Sequence, residues 1–220
     1  MKTAVILGAG GLGCPAGLAL REEARARGIP LRLVIVDPDR VDRSNLSRQI
    51  LYTDADVGKP KAEVAARRLD AEARVDRFAP ATAAELLRGA DVLLDGTDDF
   101  ATRFLANDEA LARGIPLVHG AVLGWTGQLL TVLPGRTGCL RCLFEGPPPP
   151  GAVPACAEAG VLSPLCGLVG AAMARAAAQV LLGAPEGGVL LRWDGIRASE
   201  VRPLVVKKDP ACAACARVAS

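Results

Sequence analysis

"TAVILGAGGLG", Thr3 to Gly13, sets an apolar, β-branched run directly against spaced glycines. Such a run bounded by glycine reads as a buried strand, Thr3–Leu7, that ends in a tight turn. Gly8, Gly10 and Gly13 form G-x-G-x-x-G between a strand and a helix, the context in which the motif carries meaning. Gly8 permits the turn, Gly10 lets the backbone approach a phosphate, and Gly13 lets helix and strand close up, with Gly11 completing the loop. The helix N-terminus that follows attracts an anion. Asp37 closes the next apolar run, "LRLVIVD", where it can accept hydrogen bonds from ribose hydroxyls. The turn is therefore expected to bind a nucleotide. By itself it does not separate a dinucleotide, as in an NAD-dependent oxidoreductase, from ATP.

Working outward, continuous apolar runs alternate with helical stretches. A helix is expected over Leu12–Arg27, a strand over 31–37, a helix over Lys61–Ala73 and a strand near Val75–Phe78. A short helix near Ala83–Leu87, a strand over 90–95, a helix over Ala101–Arg113 and the strand "PLVHGAV" follow. This alternation implies a parallel sheet covered on both faces, a Rossmann-like, doubly wound α/β fold. "GQLLTVLP", 127–134, follows with no room for a helix, so antiparallel pairing is expected there. A long helix, Leu165–Leu182, and strands near 189–194 and 200–206 would extend the same sheet. The 220 residues fit one domain.

Half the residues are hydrophobic and only 3% are aromatic, so the core must be largely Ala, Leu and Val. Net charge is +2, with no basic stripe interleaved with aromatics, which excludes a nucleic-acid surface. The N-terminal run could pass for a signal peptide, but its glycine pattern is better explained by strand and turn. The apolar segment Val161–Leu182 is interrupted by Pro164, Gly167, Gly170, Arg175 and Gln179. An Arg at the centre of a membrane span costs about 2.5–3.5 kcal/mol, so a buried helix is expected, without membrane association. A cytoplasmic location follows. "GPPPPGAVP", 146–154, lacks the amide donors for regular structure and reads as an exposed loop.

The segment "DRVDRSNLSRQILYTDADVGKPKAE", Asp39–Glu63, is too polar for core. A triphosphate under attack at phosphorus needs cations and amide donors along its phosphates, which Asn45, Arg48, Gln49 and Lys61 would supply. Lys59 reads as a solvated surface residue. In "LLDGTDDFATRFLAND", Asp95, Asp98 and Asp99 fall at the C-terminal end of a strand, where open α/β sheets place ligands. A carboxylate there can hold Mg²⁺, and one of Asp98 and Asp99 is expected to cap the next helix instead. Arg103, a turn into the helix, reads as half of a structural ion pair rather than as a substrate contact.

Seven cysteines without a secretory signal point to thiols and metal ligands. Cys139-x-x-Cys142 and Cys212-x-x-Cys215 suit a closed, tetrahedral structural zinc that would fasten the C-terminal tail to the crossover loop. Cys14 and Cys166, in apolar segments, read as small core residues. His119, the only histidine, reads as a satisfied interior or edge residue, and Trp125 as a packing residue rather than one that flanks the nucleotide or carrier.

"GAGGLG", "VDPDRVDRSNLSRQIL", "VGKPKAE", "DGTDDFATR" and "CLRC…CAEAGVLSP" occur here in the order found in the MoeB/ThiF/HesA family of ubiquitin-activating-enzyme-like adenylyltransferases, which the chain resembles over nearly its whole length. The resemblance implies ATP-dependent adenylation of the C-terminal glycine of a ubiquitin-like sulfur-carrier protein of the ThiS or MoaD kind. A sulfur donor protein and a homodimer are implied as partners. Asp37 becomes the ribose ligand, Asn45, Arg48, Gln49 and Lys61 phosphate-side contacts, and Asp98 the magnesium-binding catalytic acid. Cys156 matches a cysteine that some members use for acyl transfer or sulfur relay. Two features depart from the family. Asp99 stands where an Asn is usual. The arginine-bearing helical segment that relatives carry before the first strand has no counterpart ahead of Thr3. A non-catalytic nucleotide-binding partner of such a carrier therefore stays open as an alternative.

Overall fold

The structure, a computed structural model, describes residues 1–149, 152, 160–197 and 201–215, with Arg202 in backbone only. One eight-stranded sheet runs through it in the order β3-β2-β1-β4-β5-β6-β7-β8. The strands are β1 (Lys2–Leu7), β2 (Leu31–Val36), β3 (Glu72–Arg74), β4 (Val92–Asp95), β5 (Leu117–Leu123), β6 (Thr126–Val132), β7 (Val189–Asp194) and β8 (Val201–Val205). The first five pair in parallel, and β6, β7 and β8 add on antiparallel.

Continuous apolar strands are dictated by cover on both faces, and strand parity sorts their side chains. Ala4, Ile6, Leu33, Ile35, Val92 and Leu94 join one core cluster. Val5, Leu7, Val34, Val36 and Leu93 join the other. Helices α1 (Gly13–Ala26) and α2 (Lys61–Leu69) pack on the first face with the long C-terminal helix α6 (Ser163–Leu181). The second face holds α3 (Pro80–Leu86), α4 (Phe100–Ala112) and the short α5 (Leu140–Leu143).

α6 has the length and hydropathy of a membrane span. Here it is a core helix, as its sequence implied. Met173 fills the space opened by Gly120 on β5, Val169 and Leu165 sit over Gly127 on β6, and Gly170 lets Pro15 of α1 approach. Small residues at crossings of this kind let backbones close up where a methyl group would not fit.

The local expectations fail at two places. α2 ends at Leu69 rather than near Ala73, and the next strand lies at Glu72–Arg74 instead of Val75–Phe78. Asp70 turns left-handed, at φ 51°, which ends the helix. Arg21 fixes that end by donating to the carbonyls of Leu69 (2.9 Å), Asp70 and, at 3.1 Å, Leu31. Phe78 is buried from a loop, not from a strand. α3 likewise starts three residues early, because Pro80 suits a first helical position and Thr82 accepts from the Ala79 amide at 3.0 Å.

Candidate active site

The strand order reverses between β1 and β4, and a cavity of about 360 Å³ opens outside their carboxyl ends. Open α/β sheets bind ligands at such a switch point. Gly8, Gly10 and Gly11 form its floor. Gly13 stands behind them, so close that a Cβ there would lie 1.7 Å from the Gly8 carbonyl oxygen. Gly8 takes φ 85°, in the left-handed region, and faces Gly96 at the end of β4.

Asp37 is buried beside this loop. Its carboxylate accepts from the Ala9 amide at 2.7 Å and from the Asp39 amide at 2.8 Å. Burial raises its pKa, and the charge of Lys61 and the two amides work in the opposite direction.

Asp42 caps a single helical turn, Arg43–Asn45, through the Ser44 amide at 2.8 Å. The turn continues through the amides of Arg48 and Gln49, both donating to the Asn45 carbonyl. Asn45, Arg48 and Gln49 thus share one face by their i, i+3, i+4 spacing. All three line the cavity, and the stem of Arg48 lies over Gly11. Gln49 is buried; Nε2 donates to Asn45 at 3.1 Å, while Oε1 has no partner among the described residues. One end of that amide is therefore left for a ligand.

Lys61 opens α2 and is 7% exposed, with Nζ 3.1 Å from Asp39 Oδ2. The single tyrosine, Tyr52, donates to the Ala9 carbonyl at 2.7 Å and reaches that of Lys61 at 3.3 Å, which ties the glycine loop to this helix. Lys59 is the solvated surface residue expected, its Nζ 3.2 Å from Asp56 Oδ1.

The three carboxylates of "DGTDD" separate into different tasks. Asp95 is fully buried, accepts from Thr97 Oγ1 at 2.7 Å and pairs with His119 Nδ1 at 2.8 Å. Burial opposes its charge, yet His119, Arg103 and Thr97 hold its pKa below the usual carboxylate range. It is structural, and His119 is its satisfied partner. Asp99 caps α4 by accepting from the amides of Ala101 and Thr102. Asp98 alone has no hydrogen-bond or ion-pair partner among the described residues, and it lines the cavity. Its carboxylate is the one available to a magnesium ion.

Two sequence expectations are overturned. Arg103 makes no ion pair among the described residues. Nε and Nη2 both donate to the Thr97 carbonyl, at 3.0 and 2.8 Å, and the guanidinium stacks on Phe100. Trp125 is 56% exposed in the two-residue turn between β5 and β6 instead of packed.

A second cavity, of about 1040 Å³, runs from Asp98 and Asp99 along β5, β6 and β7 to Phe144 and Pro147–Pro149. Cys156 lies outside the described residues. The sequence reading missed Asp76, Arg77 and Phe78, which wall the first cavity after β3. Placing β3 three residues earlier would have exposed them as a strand-end loop.

Cys139, Cys142, Cys212 and Cys215 converge, all four sulfurs within 4.8 Å of one another. Neighbouring Sγ atoms lie 3.8, 3.8 and 3.5 Å apart. A tetrahedron of sulfurs at the ~2.3 Å zinc–thiolate distance has edges of about 3.8 Å, so the four fit one metal ion. α5 locks this knuckle to α4. Asn107 accepts from the Leu140 amide at 3.0 Å, and Arg141 pairs with Asp108 at 2.7 and 2.8 Å.

Residues 2–214 match the ThiF family. The chain belongs to it. A sulfur carrier protein adenylyltransferase of Thermus thermophilus is 46% identical over 96% of this chain and 81% of its own length. The SAMP-activating enzyme E1 of Haloferax volcanii is 43% identical over 96% and 79%. A probable adenylyltransferase/sulfurtransferase MoeZ of Mycobacterium tuberculosis is 40% identical over 94% of this chain, which spans about half (54%) of that protein. These relatives place the chain among the family's adenylyltransferases. A crystal structure of E. coli MccB with AMPCPP and MccA has the same fold, with a TM-score of 0.82 at 19% identity, over 97% of this chain and 66% of that one.

Lys61 gives the sharpest test of the phosphate side. Replacing it with Ala leaves its partner Asp39 on the surface, so no new buried charge arises from that pair. A hydrogen bond from a charged donor is worth about 1.5–3 kcal/mol. ATP affinity, read by calorimetry, should fall at least about tenfold. Unchanged affinity would make Lys61 only the first residue of a helix.

Proposed function

We propose that the chain uses ATP to adenylate the C-terminal glycine carboxylate of a ubiquitin-like sulfur-carrier protein, ThiS- or MoaD-like, and releases pyrophosphate. The observation that carries this reading is the junction of the two cavities at Asp98. One cavity has a nucleotide's glycine loop and ribose carboxylate with phosphate-side donors, and the other is a long groove suited to an extended chain end. An NAD site would have no use for the cluster of Asn45, Arg48, Gln49 and Lys61.

In the reaction, a carboxylate oxygen attacks the α-phosphorus, a new P–O bond forms, and the bond to the β-phosphate breaks. Asp37 and the glycine loop hold the nucleoside end. Arg48 and Lys61 stabilise charge that builds on the phosphates. Magnesium bound through Asp98 would neutralise phosphate charge at the same point. No general base is needed, because the attacking carboxylate is already ionised at neutral pH. The anhydride is then available for thiolation by a sulfur donor protein, with Cys156 as a candidate relay. Thiamine, molybdopterin and related pathways all consume such a product.

The four cysteines hold zinc in this reading, the location is cytoplasmic, and residues 1–220 act as one domain. A homodimer is supported by the apolar side chains of Leu168, Leu182, Leu204 and Val205, all exposed on α6, its C-terminal cap and β8.

Asp98→Ala should abolish carrier-dependent exchange of labelled pyrophosphate into ATP while the protein stays folded. Near-normal exchange would remove Asp98 from the mechanism, and absence of exchange in the wild type with any carrier would favour a non-catalytic partner. Asp99→Ala should instead lower stability by about 0.5–2 kcal/mol through loss of its cap.

Elemental analysis of protein purified without chelators should give one zinc per chain. Substitution of Cys139 by Ser should abolish it, whereas metal-free wild type would rule the site out. Sedimentation at micromolar concentration should show a dimer, and a strict monomer would reject the assembly.

A further inference from the structure

Four residues line both cavities: Asp98, Asp99, Arg103 and Val122. Any group that passes from the groove to the nucleotide crosses this boundary. Two of the four are carboxylates, so an incoming carboxylate meets repulsion at the point where it must react. Arg103 is the only cation of the four. It is 9% exposed, and no carboxylate pairs with it at ion-pair distance among the described residues. Its Nε and Nη2 are committed to the Thr97 carbonyl, which fixes the plane of the guanidinium, and Nη1 makes no hydrogen bond to the described residues. Phe100 stacks against that plane and limits its movement. The other groove cation, Arg192 on β7, does not reach the nucleotide cavity.

We propose that Arg103 is the binding residue for the substrate's terminal carboxylate, held so that its free Nη1 faces the crossing between groove and nucleotide cavity. This rests on the adenylation reading and names the group that selects a free C-terminal acid. Arginine suits the task because it stays charged and offers several donors in one fixed plane, so two can anchor it while another binds. The guanidinium offsets Asp98 and Asp99 during approach. Because it leaves the carboxylate ionised, the second oxygen remains nucleophilic.

The test uses a ten-residue peptide ending in Gly-Gly, prepared as the free acid and as the C-terminal amide, and titrated calorimetrically with AMPCPP and magnesium present. Wild type should prefer the acid by roughly tenfold or more, the scale of a hydrogen bond to a charged group. Arg103→Gln can still donate to the Thr97 carbonyl but has lost the charge; it should bind both peptides alike, with AMPCPP affinity within about twofold of wild type. Arg103→Lys should regain part of the preference. Arg192→Gln should keep the acid preference. No acid preference in the wild type, or the same preference in Arg103→Gln, overturns the assignment. Failure of the adenylation reading appears separately, as absent pyrophosphate exchange in a protein that still prefers the acid.

Discussion

A single close approach organises this molecule: the Gly8 carbonyl occupies the space that a side chain at position 13 would need. Strand β1 and helix α1 can therefore close to backbone contact, which puts the first helical amides at the end of the strand. Gly96, the residue after β4, meets Gly8 across the same gap and keeps the two strand ends together. Tyr52 and Asp37 then attach the loop to α2 and β2 through the Ala9 carbonyl and amide. Lys61, at the start of α2, is tied to the glycine loop through Tyr52, while Asn45, Arg48 and Gln49 are placed by their own Asp42-capped turn.

Charge placement follows from what each carboxylate already bonds. Asp95 and Asp99 sit within five residues of each other, and each is occupied: one stabilises a buried histidine, the other satisfies the open amides of a helix. Asp98 lies beside Asp99 yet faces the cavity with its oxygens unclaimed. Asp99 stays an anion at the cavity edge, but its oxygens accept from the α4 amides, and its pKa is held down by Thr102, Ala101 and Arg103 against the effect of burial.

Much of this was legible in the chain. Long apolar runs, glycine spacing and the SNLSRQ stretch located the parallel core, its antiparallel extension, and Asn45, Arg48, Gln49, Lys61 and Asp98 of the first cavity, because each rests on local pattern. The cysteine pairs were legible by spacing alone. What the pattern hid was decided across the fold. Asp70, in its left-handed turn, is held by Arg21, 49 residues earlier, and so the end of α2 and the start of β3 were misplaced. Arg103 was misread because "DDFATR" offers carboxylates in plain view, whereas the folded chain turns the guanidinium to a carbonyl. Trp125's exposure goes with its place in a two-residue turn between β5 and β6, which only the strand pairing defines. The choice between Asp98 and Asp99 as cap needed the direction of the helix amides.

The cysteine cluster has a topological consequence apart from its geometry. Cys139 and Cys212 are 73 residues apart, as are Cys142 and Cys215, and the segment between them carries α6, β7 and β8. A metal gripping both pairs would close that span into a ring. By the chain-entropy argument for a covalent cross-link, closing a ring of this length removes disorder from the unfolded chain equivalent to about 4 kcal/mol. The benefit belongs to the denatured ensemble, not to any contact in the folded protein. It falls on the part of the sheet built by antiparallel addition, whose outermost strand has a neighbour on one side only. A metal there would leave the unfolded chain fewer ways to disperse the very segment that builds the free border of the sheet.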